Sequence, residues 1–394
     1  MRFLFKNGQS KHFSKHFDLA LFSLAIFVIA VSIICIGINR IKKAVEKPAL
    51  IFTHWQFNET EENLLDELIA EFENKYTDIK IIQNKMSFED CRQLFFKYTD
   101  REAEPFISGS HEAEAVENYG DIIAFDGFWE DNSSEDNILD ISFFTPLPVF
   151  KYFYTFFYNT KMLKDAGIIK PPKNQKEFLA MANLVTNRES GQYALGFAFG
   201  TDDPSGANRE IYPWFASSGI SALESGKLFN DTLLFFSRLK NENLIHPGSF
   251  SFTNEEKLSA FANNEIAFMT APMQDIKIIQ SKMDNADFNI STVPAADSYN
   301  GKPAFISSEW KLGIFKESKH KEEAQLFISF LAQNSSTLAD KAGMIAGSEN
   351  NRAMEPVSDP VYSKVFELYA AGDFYNSITI NPEIEDLAKK LREE

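Results

Sequence analysis

The residue types that most often carry enzyme chemistry do not form a catalytic or metal-binding pattern in this sequence. Adjacent acidic residues at 61–62 and 202–203 do not bring two carboxylates onto one substrate, because sequence neighbours point in different directions. His111 precedes Glu112 but has no second histidine four positions later, so the zinc-protease pattern is absent. Nucleophile elbows, phosphate-binding glycine loops and calcium loops are also absent. The sequence therefore predicts no enzyme, no cofactor and no metal site, and it leaves binding as the expected activity.

Charge and cysteine content exclude further classes of protein. The net charge of −17 over 394 residues repels phosphate backbones and disfavours nucleic-acid binding. Cys35 and Cys91 are the two cysteines of the chain, so neither a disulfide framework nor a zinc site is predicted. The 39 phenylalanines predict an aromatic-rich core. The length exceeds what one compact core usually supports, which predicts two lobes.

An uncharged segment near the start of the chain has the length needed to cross a membrane. Residues 19–38 form a run of twenty uncharged residues, which matches a hydrocarbon core of about 30 Å. Residues 1–18 form a basic tail before it, and residues 39–48 form a linker after it. We predict an uncleaved transmembrane anchor with the following domain on the extracytoplasmic side. The alternative is a lipoprotein acylated at Cys35, although Ile34 replaces the small residue that such signals usually carry.

After residue 48, strand and helix patterns alternate, which indicates an α/β fold with parallel strands and crossover helices. The patterns predict strands at 49–54, 79–83, 149–158, 195–199, 266–270, 288–293 and 310–315. They predict helices at 64–72, 88–98, 232–240, 255–263, 321–332, 360–370 and 382–392, a short helix closed by Gly167, a helix capped by Asn174 and one beginning near Pro272. Residues 200–208 are polar and are predicted to form a loop.

Four segments carry motifs in a characteristic order. The first, ALIFTHWQFNETEENLLDELIAEFENKYTDIKI, is typical of a strand, a loop and a long helix. The second combines YN at 158–159, AG at 166–167 and PP at 171–172. The third is AFANNEIAFMTAP and the fourth is SSEWKLGIFKESKHKEEAQLFISFLAQ. From Ala49 to about Met354, the chain resembles bacterial extracellular solute-binding proteins of family 1, the receptors of ABC transporters that commonly bind sugars.

This resemblance implies a two-lobed periplasmic-binding-protein fold of type II-like topology, with hinge strands between lobes that close on a ligand. Lobe 1 is expected to comprise roughly 49–155 plus 265–310, and lobe 2 roughly 156–264 plus 311–394. Phe106 stands where the family usually carries an aspartate, which weakens the expectation that the ligand is a sugar.

The resemblance also implies where a ligand would bind. Such sites place aromatic rings and polar groups at the carboxyl ends of strands. Trp55 and Trp310 fit a packing role equally well, an ordinary capped turn competes for the loop after Ile107, and Trp129 is assigned to structure. The candidate ligand-binding residues are His54, Trp55, Gln56, Ser108, Gly109, Ser110, His111, Lys151, Tyr152, Trp214, Met273, Gln274, Glu309 and Trp310.

Taken with the membrane segment, these features predict a monomeric receptor that binds a carbohydrate-like ligand and delivers it to ABC permease subunits. The alternative is a membrane-anchored sensor or surface interaction protein with the same fold. A glycan hydrolase would need a pair of carboxylates across the cleft, for which the sequence offers no signal.

Overall fold

The computed structural model describes residues 48–55, 59–86, 90–91, 94–95, 120–126, 147–200, 204–219, 226–347, 359–375 and 382–393. The chain divides into two compact units, residues 1–49 with 76–80 and residues 50–75 with 81–394. In the described part of the first unit, the Lys80 amide donates to the Pro48 carbonyl (3.0 Å). The predicted tail, transmembrane segment and Cys35 lie outside the described residues. Within the described ranges, no helix has both the length and the apolar character required to span a membrane.

Within the described ranges, ten strands are connected through hydrogen bonds. Their order is β2-β1-β3-β8-β4-β6-β5, with β10 beside β8 and both β7 and β9 beside β4. The strands are β1 Ala49–Trp55, β2 Lys80–Met86, β3 Ile122–Asp126, β4 Leu147–Asn159, β5 Tyr193–Gly196, β6 Ile266–Pro272, β7 Phe288–Ser291, β8 Ala304–Ile314, β9 Ile345–Ala346 and β10 Asp373–Tyr375. Non-consecutive neighbours in this order confirm the predicted α/β class with crossover connections. The sheet is mixed rather than parallel, because β4 runs antiparallel to β6, β7, β8 and β9.

Helices occupy most of the connections between these strands. The predicted caps are present, since Asn174 accepts from the Glu177 amide (2.9 Å) and Gly167 has a φ of 72°, which favours glycine after a helix. The described helices are α1 Glu59–Lys75, α2 Thr160–Asp165, α3 Gln175–Val185, α4 Pro204–Ala216, α5 Lys227–Asn241, α6 Asn254–Ala262, α7 Asp275–Lys282, α8 Lys321–Gln333, α9 Ser335–Ala342, α10 Pro360–Ala371 and α11 Pro382–Glu393.

The start of α4 differs from the sequence prediction. The stretch 200–208 was expected to be a loop, but residues from Pro204 onward are helical. The sequence did not predict this helix, because it contains Gly206 and Pro213 and both residue types disfavour helix interiors.

Strand β4 is the element that joins the two groups of strands. Its residues 147–153 pair with β8, whereas residues 154–159 pair with β6 and β7. Most of its side chains are buried, as expected for a strand covered on both faces. The predicted strand at 149–158 is therefore confirmed, and it spans the junction between the two half-sheets.

Two segments group with the half-sheet opposite to the one that the sequence assigned. Strand β6 pairs with β5 and with the second half of β4, whereas residues 265–310 were expected in lobe 1. Helix α8 packs with Phe327 against Phe52 of β1 (5.5 Å between ring centroids) and Phe72 of α1 (5.0 Å), whereas residues after 311 were expected in lobe 2. The contacts of β6 with β4 and of α8 with β1 join segments more than a hundred residues apart, which no local sequence pattern reports. The bounds of the two lobes therefore stay a prediction.

The predicted aromatic core is present in the second half-sheet. Phe156 of β4 stacks on Phe268 of β6 at 5.3 Å between ring centroids. Phe178 of α3 and Phe235 of α5 complete this layer from the helical side. All four side chains are almost completely buried, so these phenylalanines stabilise the fold by removing apolar surface from water.

Candidate functional site

The candidate residues on β4 and β8 lie where the first half-sheet ends. Strand β3 pairs with β8 as far as Asp126 opposite Trp310. Beyond that pair, Glu309 and Ser308 of β8 lie opposite Lys151 and Tyr152 of β4. The two strands therefore continue past the carboxyl end of β3, the edge at which ligands of open α/β sheets bind.

Three charged side chains share one face of this junction, and we call them the hinge charge stripe: Lys151, Glu309 and Lys311. The Glu309 carboxylate has its Oε1 at 3.4 Å from Nζ of Lys151 and its Oε2 at 3.5 Å from Nζ of Lys311. Each side chain keeps between 20% and 28% of its surface exposed. The stripe can thus offer ammonium donors and carboxylate acceptors to ligand hydroxyls.

Two of the predicted aromatic residues come together at the same edge. The rings of Trp55 and Trp310 meet edge to face, with 5.6 Å between centroids. The ring of Phe150 stacks on that of Trp310, with 5.1 Å between the ring centroids. Trp310 is 4% exposed and packs within the protein, whereas Trp55 is only partly buried and retains surface for a ligand.

His54 is buried and contacts the backbone of Trp55 instead of facing solvent. It is fully buried, with Nδ1 at 2.8 Å from the Trp55 carbonyl and Nε2 at 3.1 Å from Oε1 of Gln83. Gln83 in turn donates through Nε2 to Oδ1 of Asp66 (2.7 Å). Burial lowers the pKa of His54, because desolvation disfavours the imidazolium.

The turn between β6 and α7 contains two further candidates. The Met273 amide donates to the Phe153 carbonyl of β4 (3.0 Å), so this turn lies beside the hinge charge stripe along β4. The Met273 side chain is fully buried. Among the described residues, Oε1 of Gln274 is buried without a hydrogen-bond partner, which leaves an acceptor for a ligand or water.

Tyr152 and Trp214 are mostly or fully enclosed by protein. Tyr152 is 8% exposed, and its ring lies 6.3 Å from that of Tyr154. Trp214 has no exposed surface and lies at 5.4 Å from Phe156 and 5.2 Å from Phe235 between ring centroids. Its indole therefore packs in the aromatic core, and the ligand-stacking role expected of Trp214 has no free ring face here.

Five of the candidate residues fall in stretches that the structure does not describe. Gln56, Ser108, Gly109, Ser110 and His111 all lie outside the described residues.

The sequence did not single out a buried charge cluster beside the β6–α7 turn, which we call the buried triad: Glu210, Lys257 and Asp275. The Lys257 ammonium donates to Oε1 of Glu210 (2.5 Å) and to the Thr270 carbonyl (3.0 Å). Asn254 donates to Oδ2 of Asp275 (3.3 Å). The three members are 7%, 0% and 4% exposed, respectively.

Burial shapes the protonation of this triad. It raises the pKa of Asp275 to about 6 and also raises the pKa of Glu210, while the charge of Lys257 opposes both shifts. A signal was present in the sequence, because Lys257 lies four residues before Phe261 on the apolar face of α6. A lysine at such a position must find a partner in the interior.

Comparison with known proteins decides the family. Residues 58–337 match the family model described as bacterial extracellular solute-binding protein. The chain belongs to this family. Its members are binding proteins rather than enzymes, in agreement with a sequence that lacks a catalytic pattern.

Solved structures share the fold of this solute-binding protein. The ABC substrate-binding protein of Listeria monocytogenes, in complex with cycloalternan, superimposes with a TM-score of 0.63 at 15% identity, over 87% of this chain and 94% of that one. The solute-binding protein of Thermotoga lettingae, bound with α-D-tagatose, gives a TM-score of 0.67 at 17% identity, over 88% and 93%. These likenesses establish the α/β two-lobed fold.

Curated relatives match over a shorter stretch. A protein of Brucella abortus strain 2308, which carries the provisional name of a binding protein, is 24% identical over 204 residues, 48% of this chain and 46% of its own length. The chain thus spans about half the length of this relative.

In the part of the chain that the structure describes, neither a metal-binding cluster nor a ligand-sized apolar pocket beside Trp310 is present. Within the described ranges, no group of three or more His, Cys, Asp or Glu side chains is arranged to hold a metal ion. The apolar pocket beside Trp310 has a cavity volume of about 20 Å³, room for about one water molecule. A sugar ring does not fit there, so the hinge charge stripe and Trp55 remain the stronger candidates.

Proposed function

We propose that this solute-binding protein is the extracytoplasmic receptor of an ABC importer and binds a carbohydrate-like ligand by closure of two lobes. In this proposal, residues 19–38 hold the protein at the membrane as an uncleaved anchor. The ABC permease subunits are its partners, and the receptor works as a monomer.

The observation that carries the proposal is the position of β4. This strand leaves one half-sheet at Phe153 and enters the other at Tyr154, and the hinge charge stripe begins two residues earlier, at Lys151. A ligand bound at this junction would contact groups from both half-sheets. Its binding energy would then favour a closed arrangement, as in hinge closure around ligands.

The pairing of the strands and the packing of the helices suggest different contents for the two proposed lobes. Lobe 1 would contain β1, β2, β3, the second half of β8 and α8. Lobe 2 would contain β5, β6, β7 and the helices α3 to α7. The two strands β4 and β8 would connect the lobes.

The chemistry of the stripe and of Trp55 supports a carbohydrate-like ligand. Hydroxyl groups both donate and accept hydrogen bonds, and they match a stripe that contains both kinds of partner. A partly exposed indole provides the apolar face on which a sugar ring stacks. The cycloalternan and α-D-tagatose bound to the Listeria and Thermotoga proteins belong to the same chemical class.

The test is thermal unfolding of the full chain, purified in detergent, with maltose, mannotriose or α-D-tagatose added in turn. A ligand that binds only the folded state stabilises it and so raises the melting temperature. At a hundredfold excess over its Kd, the stabilisation is about 2.7 kcal/mol. We expect at least one sugar to produce such a rise. The Trp55→Ala variant should lose it, and the surface variant Lys302→Met should keep it.

Melting curves that are unaffected by every sugar would contradict the carbohydrate assignment. A rise that persists in Trp55→Ala would instead place the ligand elsewhere in the protein.

A further inference from the structure

The buried triad lies at the point where three elements of the second half-sheet meet the end of β6. Glu210 comes from α4, Lys257 from α6 and Asp275 from the first position of α7. Three ionisable side chains with at most 7% exposure are costly to bury.

Lys257 is the common point of this cluster. Its ammonium donates to the Glu210 carboxylate and to the carbonyl of Thr270, near the end of β6. The hydroxyl of Thr270 donates to the Glu210 carbonyl (3.1 Å). These bonds tie α4 and α6 to β6 two residues before that strand ends at Pro272.

The segment that follows Pro272 is attached at both ends. On one side, the Met273 amide donates to the Phe153 carbonyl at the centre of β4 (3.0 Å). On the other side, Asp275 begins α7 and receives a hydrogen bond from Asn254 of α6. Met273 and Gln274 thus connect β4 to the buried triad.

We propose that Lys257, together with Glu210 and Asp275, is a positioning cluster that sets the place of the Met273–Gln274 turn against β4. The turn faces a ligand only within the proposed function, and to that extent the inference rests on it. The cluster itself has no exposed ammonium and does not contact the ligand. It acts through the turn.

The charge balance of the cluster makes this positioning sensitive to pH. Two carboxylates face one ammonium, and among the described residues Oε2 of Glu210 has no hydrogen-bond partner. The charged groups that act on Asp275 are Lys257 of α6 and Glu210 of α4, and Tyr362 of α10 lies within the reach of its charge. Arg209 also acts on Glu210.

Because burial raises the pKa of Asp275 to about 6, its carboxyl group releases a proton as pH rises from 5 to 7. The negative charge beside Lys257 then increases. We expect the turn to open more often at pH 7 than at pH 5.

The experiment is hydrogen–deuterium exchange of the full chain without ligand, read at the Met273 amide after correction for the intrinsic pH dependence of exchange. The wild type should lose protection at this amide between pH 5 and pH 7. Asp275→Asn removes the carboxylate whose pKa is about 6 and should flatten that profile. Glu210→Gln replaces the carboxylate that accepts from Lys257 by a neutral amide and should speed exchange at Met273. Lys257→Met should speed exchange at Met273 by about tenfold or more at pH 7, because opening of a local unit governs its exchange.

Lys227→Met provides the matched control, since Lys227 is a 76% exposed lysine of α5 paired with Asp231. Its exchange at Met273 should stay within about twofold of the wild type. If Lys257→Met does not fold, the two carboxylate variants decide the question, because both keep the shape of the side chain that they replace.

Three results would overturn the inference. One is a pH profile that persists in Asp275→Asn. Another is a folded Lys257→Met or Glu210→Gln protein whose Met273 amide exchanges at the wild-type rate. The third is faster exchange spread evenly over the whole chain, which would indicate general destabilisation. No ligand enters this experiment, so a failed sugar screen would not change how its exchange rates are interpreted.

Discussion

The hinge charge stripe and the buried triad are both three-residue charge clusters, yet they differ in composition and in burial. The stripe places one carboxylate, Glu309, between two ammonium groups, and each side chain keeps at least a fifth of its surface. The triad places one ammonium, Lys257, beside two carboxylates in the protein interior.

This difference indicates separate roles for the two clusters. Partly exposed ion pairs contribute little to stability, because water competes for both partners. They can exchange those partners for a ligand at low cost. Fully buried charges have no water to replace a lost partner, so the triad is suited to holding the fold in one arrangement.

The largest expected effect is on stability, in the Lys257→Met variant. Removal of the ammonium leaves two buried carboxylates without their cation, which should lower the free energy of unfolding by about 3–5 kcal/mol. Chemical denaturation followed by circular dichroism measures this loss. The control Lys227→Met should change the same quantity by less than about 0.5 kcal/mol; equal losses in both variants would remove the contrast between buried and exposed lysines.

The pH dependence of stability should show a smaller effect of the same triad. Burial raises the pKa of Asp275 in the folded protein to about 6, whereas the unfolded chain releases this proton near pH 4. The folded state therefore binds more protons across that window, and the free energy of unfolding falls as pH rises from about 4 to 6.

The contribution of Asp275 to this fall should be on the order of 3 kcal/mol, because its pKa shift is about two units. Denaturation at several pH values, compared between the wild type and Asp275→Asn, isolates it from other groups. Superimposable profiles for the two proteins would show that Asp275 does not titrate in this window.

Glu309→Gln should have the smallest effect on stability and a clear effect on binding. Its ion pairs are partly solvated, so we expect the free energy of unfolding to change by less than about 1 kcal/mol. The affinity for a sugar that raises the melting temperature should fall by about tenfold, because a charge-assisted hydrogen bond to the ligand is lost. Isothermal titration calorimetry measures this affinity.

The comparable variant Glu367→Gln removes an exposed pair on α10, between Lys364 and Glu367. It should leave the affinity unchanged. A Glu309→Gln protein that binds as well as the wild type would exclude the stripe from the site.

Much of the fold could be predicted from sequence because its local signals were strong. The run at 149–158 is apolar on both faces, and it is observed as part of β4. The cap at Asn174 and the glycine at 167 marked helix ends at the observed places. These features depend on neighbouring residues only, so no knowledge of tertiary contacts was needed.

The site was less predictable, because it depends on contacts between distant segments. Lys151 and Glu309 were both candidates, but their pairing follows from a strand register across 158 residues. Trp214 stands in a sequence context typical of a cleft, yet packing against Phe156 and Phe235 buries it completely. The role of Lys257 depends on Glu210, which lies in a helix that the sequence did not reveal.

In the proposed function, the protein closes around a ligand at the junction between its half-sheets. Double electron–electron resonance tests it most directly, with spin labels at the exposed Glu67 of α1 and Leu184 of α3 in a background with Cys35→Ser and Cys91→Ala. With a sugar that raises the melting temperature at saturation, the distribution of label-to-label distances should shift to shorter values, and Glu309→Gln should need more sugar for the same shift. An unchanged distribution at saturating sugar would contradict closure.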